Sequence, residues 1–450
     1  MYSITYIIYY MRKKEAIQMK VKNINNIIKK IKNLINSRRF MESNRISVNN
    51  FSRKRKLPFV TLVLFMLNLV KQTLQKELTQ FMNLFSSSTD KHITKSAFCQ
   101  SRLKLKPEAF VELNNLLVDE FYADNIFKKF MSFRLLAIDG SSLLLPNSDD
   151  IVNTFGYLKN NMESMKMPAA RISSFYDVLN EIIIDSQIEH YKTSELPLAI
   201  KHLEKATKDD LILFDRGYPA VWLFLYLINK NINFVMRLQR NFLSEGEAFF
   251  ESNKTDEIID IKDCPQSSKE KLNELGIEFK PFKIRLVKVI LDNGEIEVLA
   301  TTLLNKDKYP ALIFKELYFM RWGLEVDLNH LKNHVQLENF TGLSSLSIKQ
   351  DFYANCFIAN LQSIIARDAQ LEIKNEKKNT EYEYKVNRNL SLGFMKNKIV
   401  EILTSNNPKY MEELKQLFKI EPVPIRKNRK FPRIFHKPRL KYHMNTKKAI

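Results

Sequence analysis

Tyr318-Phe319-Met320-Arg321-Trp322-Gly323-Leu324-Glu325-Val326-Asp327-Leu328-Asn329-His330-Leu331-Lys332 is the stretch on which the reading of this chain turns. Pro310 suits a first helical turn and no later proline intervenes before His334, so the spacing predicts one helix through Lys332. Leu312, Ile313, Leu317, Met320, Leu324, Leu328 and Leu331 recur mostly at three- and four-residue steps and form its apolar stripe. Tyr318, Arg321, Glu325 and Lys332 share another face: at about 100° per residue they fall within roughly 60° of one another. A carboxylate flanked by two cations suits a divalent metal on the carboxylate and phosphate oxygens on the cations. Taken alone, that face is more simply read as ordinary charge pairs on an exposed helix.

The bulk numbers narrow the choice. A chain of 450 residues with 45% hydrophobic content can build two or three domains with real cores. Lys and Arg number 71 against 50 Asp and Glu, and the net charge of +21 points to a polyanionic partner, nucleic acid or an anionic membrane. The longest apolar runs, 59–67 and 220–228, fall short of the ~20 residues a membrane span needs. The apolar start, 1–11, precedes its charges at Arg12-Lys13-Lys14, the reverse of a secretory signal, and Met41 is an alternative start. Cys99, Cys264 and Cys356 are odd in number, widely spaced and fit no metal pattern, which suits reduced thiols in the cytoplasm.

In chain order, residues 1–57 carry fifteen Lys or Arg against Glu15 and Glu42, a net +13, and read as a poorly packed basic arm able to meet a nucleic-acid backbone, or as a solvated tail. Residues 58–126 read as a helical domain: a helix from Pro58 to about Phe85, a second over 95–104 capped by Thr94, and a third from Pro107 to about Glu120. The middle helix carries Lys95, Gln100, Ser101, Arg102 and Lys104, which suits DNA binding of helix-turn-helix type, with a generic bundle as the alternative. From about residue 127 to 345 the pattern turns α/β. Arg134 to Ile138, an Asp139-Gly140 turn and Leu143 to Leu145 read as strand, turn, strand. Strands follow over 171–179 and 182–188, then a helix over 195–206. Asp210 to Phe214 is a buried strand ending at Asp215-Arg216-Gly217, followed by a helix over 219–229 and a strand over 234–238. Residues 240–305 read as an insertion, loop-rich at first and then a hairpin about Asn293-Gly294. Residues 346–421 read as helical, with a covering helix over 348–366, and 422–450 as a basic tail with ten Lys or Arg and no acid.

Antiparallel strands first, then alternating helices and strands, suit a ribonuclease-H-like catalytic core with a β insertion, preceded by a helical DNA-binding domain and followed by a helical, basic C-terminal region. Such a sheet can bring together a carboxylate from its first strand, one from the end of a later strand and one from a covering helix. Phosphodiester cleavage needs an activated nucleophile and a stabilised leaving oxygen, which two Mg²⁺ ions held by three carboxylates can provide. Asp139, Asp215 and Glu325, 76 and 110 residues apart, have that order. Singly, Asp139 and Asp215 read as turn residues. Asp149-Asp150 and Asp209-Asp210 read as loop and strand-entry pairs, and His330 with His334 as surface residues.

The ordered set resembles the DDE transposases, and the Tyr-x2-Arg-x3-Glu-x6-Lys spacing specifically resembles the insertion-sequence-four family. The resemblance runs over about 58–450 and is densest at 134–146, 210–220 and 311–343. It implies that Asp139, Asp215 and Glu325 hold Mg²⁺, with Mn²⁺ as a substitute, and that Tyr318, Arg321 and Lys332 hold the transposon-end phosphate. It further implies cleavage and joining of double-stranded DNA at transposon ends and target, by a dimer when two ends are bound. The tryptophan that relatives carry in the β insertion, thought to stack on a flipped base, is absent from 240–305, where Phe249, Phe250, Phe279 or Phe282 would have to substitute. Trp322 is expected at the edge of the site and Trp222 in the core. Two other classes stay open: a DNA-binding protein that occupies repeats without cutting, and a ribonuclease-H-like nuclease unconnected with transposition.

Overall fold

The computed structural model describes residues 24–53, 55–68, 72–84, 92–158, 167–325, 328, 337–378 and 380–426. Its first element, α1 (Ile24–Ile35), shows why a basic segment can still fold. Ile24, Ile27, Ile28, Ile31 and Ile35 form one apolar stripe and all are buried, while Lys29 and Lys30 face solvent. Burying each isoleucine is worth about 1.5–3 kcal/mol, enough to fix the helix on its neighbours. Phe40 of α2 (Arg38–Asn44) is also fully buried. The expected poorly packed arm is therefore part of the core from residue 24; the interleaved Asn and Lys concealed its stripe. Residues 1–23 of that arm lie outside the described residues.

The single helix expected from Pro58 is two, α3 (Phe59–Leu67) and α4 (Leu74–Asn83). The break follows Asn68, which is buried and exchanges two hydrogen bonds with Asn397, donating to its side chain at 3.1 Å and accepting from its backbone N–H at 2.8 Å. Helix α5 (Lys95–Arg102) starts on Thr94, whose hydroxyl accepts from the Ala97 N–H. Lys95 and Gln100 are exposed on it. Arg102 is not: it is buried, and its guanidinium donates to Gln350, Thr341 and Asp351 at 2.9, 2.6 and 2.8 Å. Helix α6 (Glu108–Tyr122) follows Pro107 as read, and α1 packs on it.

The central sheet is mixed. β1 (Arg134–Leu144) lies antiparallel to β3 (Met167–Asp177) and parallel to β5 (Asp210–Phe214); β4 (Ile182–His190) adds antiparallel to β3. Between β1 and β3 run α7 (Asp149–Phe155) and the two-residue β2 (Tyr157–Leu158), and α8 (Glu195–Leu203) links β4 to β5. Helix α9 (Val221–Asn229) leads to β6 (Asn233–Arg237), parallel to β5. Every residue of β5 is buried, as a parallel strand covered on both faces should be. Asp210 tolerates that burial because Arg134 grips its carboxylate with two bonds of 2.7 and 2.8 Å. This clamp pairs the first residues of β1 and β5.

One expectation changes here. β1 does not turn at Asp139-Gly140 but runs straight through, with Asp139 opposite Ser174 and Gly140 opposite Ser173. Gly140 serves a close approach instead: a Cβ there would lie 2.8 Å from Glu195 Oε1. The insertion joins the same sheet. Besides α10 (Ser244–Glu251) and α11 (Gln266–Glu274) it contributes β7 (Asp256–Ile261), β8 (Phe282–Ile290) and β9 (Ile296–Thr301), and β9 pairs with β6 so that one sheet continues across all of them. The hairpin turn falls at Gly294, with φ +82°, as the Asn-Gly signal predicts.

After the insertion comes α12 (Phe314–Phe319) and later α13 (Ser345–Glu376), a 32-residue helix that packs on α6 and β4. It ends within the polar stretch that begins at Lys374. β10 (Glu383–Lys385), α14 (Arg388–Met395), α15 (Lys398–Thr404), α16 (Lys409–Lys419) and β11 (Val423–Ile425) follow; Asn397 at φ +64° separates α14 from α15. Among the described residues no helix is long and apolar enough to cross a membrane.

Candidate active site

The clamp between Arg134 and Asp210 decides where two acids meet. Parallel pairing runs residue for residue from Arg134–Asp210 to Ile138–Phe214. One further step brings Asp139 level with Asp215, on strands about 4.8 Å apart. Asp139 Oδ1 accepts from the Gly140 N–H at 2.8 Å. Burial is the largest influence on this carboxyl and raises its pKa to about 6; the Gly140 N–H and Arg321 oppose the rise, and Glu195 and Glu325 add to it.

The third acid arrives on the segment after the insertion, which is not the single helix expected. Residues 311–313 form a 3-10 turn, α12 ends at Phe319, residues 320–321 form a turn, and helix resumes at Trp322. Across the break the backbone bonds tighten to three-residue steps: Arg321 N–H to Tyr318, Gly323 N–H to Met320 and Leu324 N–H to Arg321. Contacts with the sheet account for the distortion. The Tyr318 hydroxyl lies 3.3 Å from both the Phe214 carbonyl and Asp215 Oδ1. Arg321 is only 4% exposed and drives inward between the acids.

Its guanidinium is the hub of the site. Nη2 lies 2.9 Å from Glu325 Oε1 and 4.0 Å from Asp215 Oδ1, and Nη1 lies 3.6 Å from Asp139 Oδ2. Burial works against its charge, but Tyr318, Asp215 and Glu325 more than offset this and hold its pKa above the ordinary value. The rings of Tyr318 and Trp322 flank it at 5.6 and 5.4 Å. Nε and Nη1 remain buried without a hydrogen-bond partner.

The structure thus brings Asp139, Asp215, Glu325, Tyr318 and Arg321 together. Lys332 lies outside the described residues, as do His330 and His334. Trp322 stands at the rim, 39% exposed, and Trp222 is in the core. Of the phenylalanines named as substitutes for the absent tryptophan, Phe249 and Phe282 are buried, leaving the half-buried Phe250 and Phe279. Asp150 accepts from the Ser345 N–H at 2.5 Å and is occupied there. One neighbour escaped the sequence reading: Glu195, the first residue of α8, whose carboxylate rests on β1 beside Asp139.

Among the described residues no three His, Cys, Asp or Glu side chains are spaced to hold a metal as they stand. The donor chemistry nevertheless fits Mg²⁺: the acids that converge offer oxygen alone. Burial, with Glu195 and Glu325, raises the Asp139 pKa to about 6, and a further cation beside it would favour the charged form.

A family model described as "Transposase DDE domain" matches residues 131–361. The transposase InsG for insertion sequence element IS4 of Escherichia coli K12 is 21% identical over 407 residues, covering 88% of this chain and 89% of that one. Among solved structures, a piggyBac transposase synaptic complex with hairpin DNA aligns with a TM-score of 0.43 at 12% identity, over 88% of this chain and 82% of that one. The match across the segment that carries all three acids, together with the full-length likeness to InsG, places the chain among the DDE transposases of the insertion-sequence-four family.

Proposed function

We propose that this transposase binds the terminal inverted repeats of its own insertion sequence and moves it by cut-and-paste, cleaving DNA and joining the freed ends to a target in a Mg²⁺-dependent reaction. The observation that carries the reading is the convergence of Asp139, Asp215 and Glu325 within 4.0 Å of one guanidinium. In this reading the core is ribonuclease-H-like and the three carboxylates are the metal ligands. Two bound ions would activate the attacking oxygen and stabilise the leaving one.

The remaining roles belong to the chain's own side chains. Tyr318 holds Asp215 in place through its hydroxyl. Arg321 has two buried nitrogens without a hydrogen-bond partner, suited to the oxygens of an end phosphate. Lys332 is proposed as a second phosphate contact. The exposed Lys95 and Gln100 on α5 suit a helix that meets DNA, and the basic segments 1–57 and 422–450 suit its backbone. We assign DNA contact to 58–126 and catalysis to 127–345, with a dimer holding two ends in the cytoplasm.

The test uses linear DNA carrying the native element ends, with Mg²⁺ or Mn²⁺. Metal-dependent cuts at the ends support the reading. Tight binding without cleavage under either metal would leave a DNA-binding protein, and cutting indifferent to the ends would leave a nuclease.

A further inference from the structure

We propose that Glu195 is a fourth carboxylate of the metal-holding site, on the side of Asp139; this rests on the metal-dependent reading above. Two glycines open onto the same carboxylate. A Cβ at Gly140 would lie 2.8 Å from Glu195 Oε1 and 3.2 Å from its Cδ, so the carboxylate rests on the bare backbone next to Asp139. A Cβ at Gly217 would lie 3.9 Å from Oε2, so the other oxygen faces the loop that begins at Asp215. Glu195 therefore lies between the β1 backbone at Gly140 and the loop that begins at Asp215, and its charge acts on the Asp139 carboxyl across that backbone. After burial, the charges of Glu195, Asp139 and Asp215 act together on the Tyr218 hydroxyl, which places the three in one neighbourhood.

The carboxylate is fixed in place yet not used up. Helix α8 is pinned by the fully buried His202, whose ring nitrogens lie 2.6 Å from Asp185 Oδ2 and 3.0 Å from Ser173 Oγ. Glu195 lies seven residues, about two turns, before it on the same helix. Its cationic partner is Arg171 at 3.4 Å, and both side chains are about a third exposed, so their charges are only loosely paired. On the other side of Asp139 the buried Arg321 keeps two nitrogens without hydrogen bonds, which calls for an acceptor such as a phosphate oxygen and not for a metal ion. A carboxylate at the start of a helix is favoured by the helix dipole in any case. That preference explains Glu195 within α8 but not the bare glycine backbone beneath it on β1.

The probe is Mn²⁺, titrated calorimetrically into the full-length chain without DNA, with Mn²⁺-induced thermal stabilisation as a second readout. Glu195→Gln keeps the shape and most hydrogen bonding, and should weaken Mn²⁺ binding about tenfold, with a smaller thermal shift. Asp139→Asn is the control. Wild-type affinity in Glu195→Gln alongside a loss in Asp139→Asn would overturn the role of Glu195 and spare the metal site; wild-type affinity in both would overturn the two together. Gly140→Ala, which must displace the carboxylate, gives a second route should Glu195→Gln fold poorly. It should weaken Mn²⁺ binding in the native background and add nothing to Glu195→Gln. An equal loss in both backgrounds would refute the contact.

Discussion

Replacing Arg134 by methionine removes the clamp that sets Asp139 level with Asp215. Asp210 is fully buried, and Arg134 supplies two of its three hydrogen bonds; the third, from the Thr207 N–H at 2.7 Å, survives. Breaking a buried pair by removing one partner costs about 3–5 kcal/mol, because the remaining charge is stranded. The retained Thr207 bond argues for the lower part of that range. Methionine also fills much of the space over Tyr122, where the guanidinium packs at 4.8 Å, so a cavity adds little. Most of the loss is then electrostatic, and Arg134→Met combined with Asp210→Asn should recover at least half of it. Urea denaturation of the native, single and double variants, followed by fluorescence, forms the cycle. A loss below about 1 kcal/mol in the single variant, or a double variant no better than the single, would refute the clamp as the source of the register.

Asp139→Ala, Asp215→Ala and Glu325→Ala should each abolish cleavage of element ends while leaving end binding mostly intact; gel-shift and cleavage assays on the same labelled DNA check both, and near-native cutting by any one removes that residue from the triad. Arg321→Ala should slow cleavage and blur the cut position on labelled ends, and Arg321→Lys should also be harmful, since a lysine cannot form the planar two-pronged contact. Because Arg321 lies within 4.0 Å of all three acids, its loss should also tighten Mn²⁺ binding; unchanged or weaker binding would show that the guanidinium does not compete for them. DNA affinity should fall steeply with salt, by a log–log slope of about −0.9 per phosphate contacted, and deleting 422–450 should flatten it; an unchanged slope would exclude that tail from contact.

Much of the fold was legible because its strands announce themselves. The run Asp210 to Phe214 is apolar, short and followed by turn residues, and it is β5; Asn293-Gly294 between β-rich runs is the turn between β8 and β9. The failures share one cause, tertiary contact overriding a local signal. Asp139-Gly140 has the composition of a turn, yet the glycine answers to a carboxylate from α8, 55 residues later in the chain. Asn68 ends α3 for a partner at Asn397. The stripe of α1 was hidden by polar neighbours that sit on its outer face.

The site shows the same division more sharply. Spacing on an ideal helix put Tyr318, Arg321 and Glu325 on one face, and they do meet, but for a different reason. The helix is interrupted between Phe319 and Trp322, so helical periodicity alone does not aim Arg321; the acids on β1 and just after β5 attract it and the backbone tightens to let it in. Those acids are level because Arg134 and Asp210, five residues before each, are bonded. A residue pair with no part in the proposed chemistry therefore sets the spacing of two that have one. Glu195 gave no such signal, since a glutamate opening a helix is commonplace. Only the bare backbone of Gly140, visible once β1 and α8 are folded together, distinguishes it.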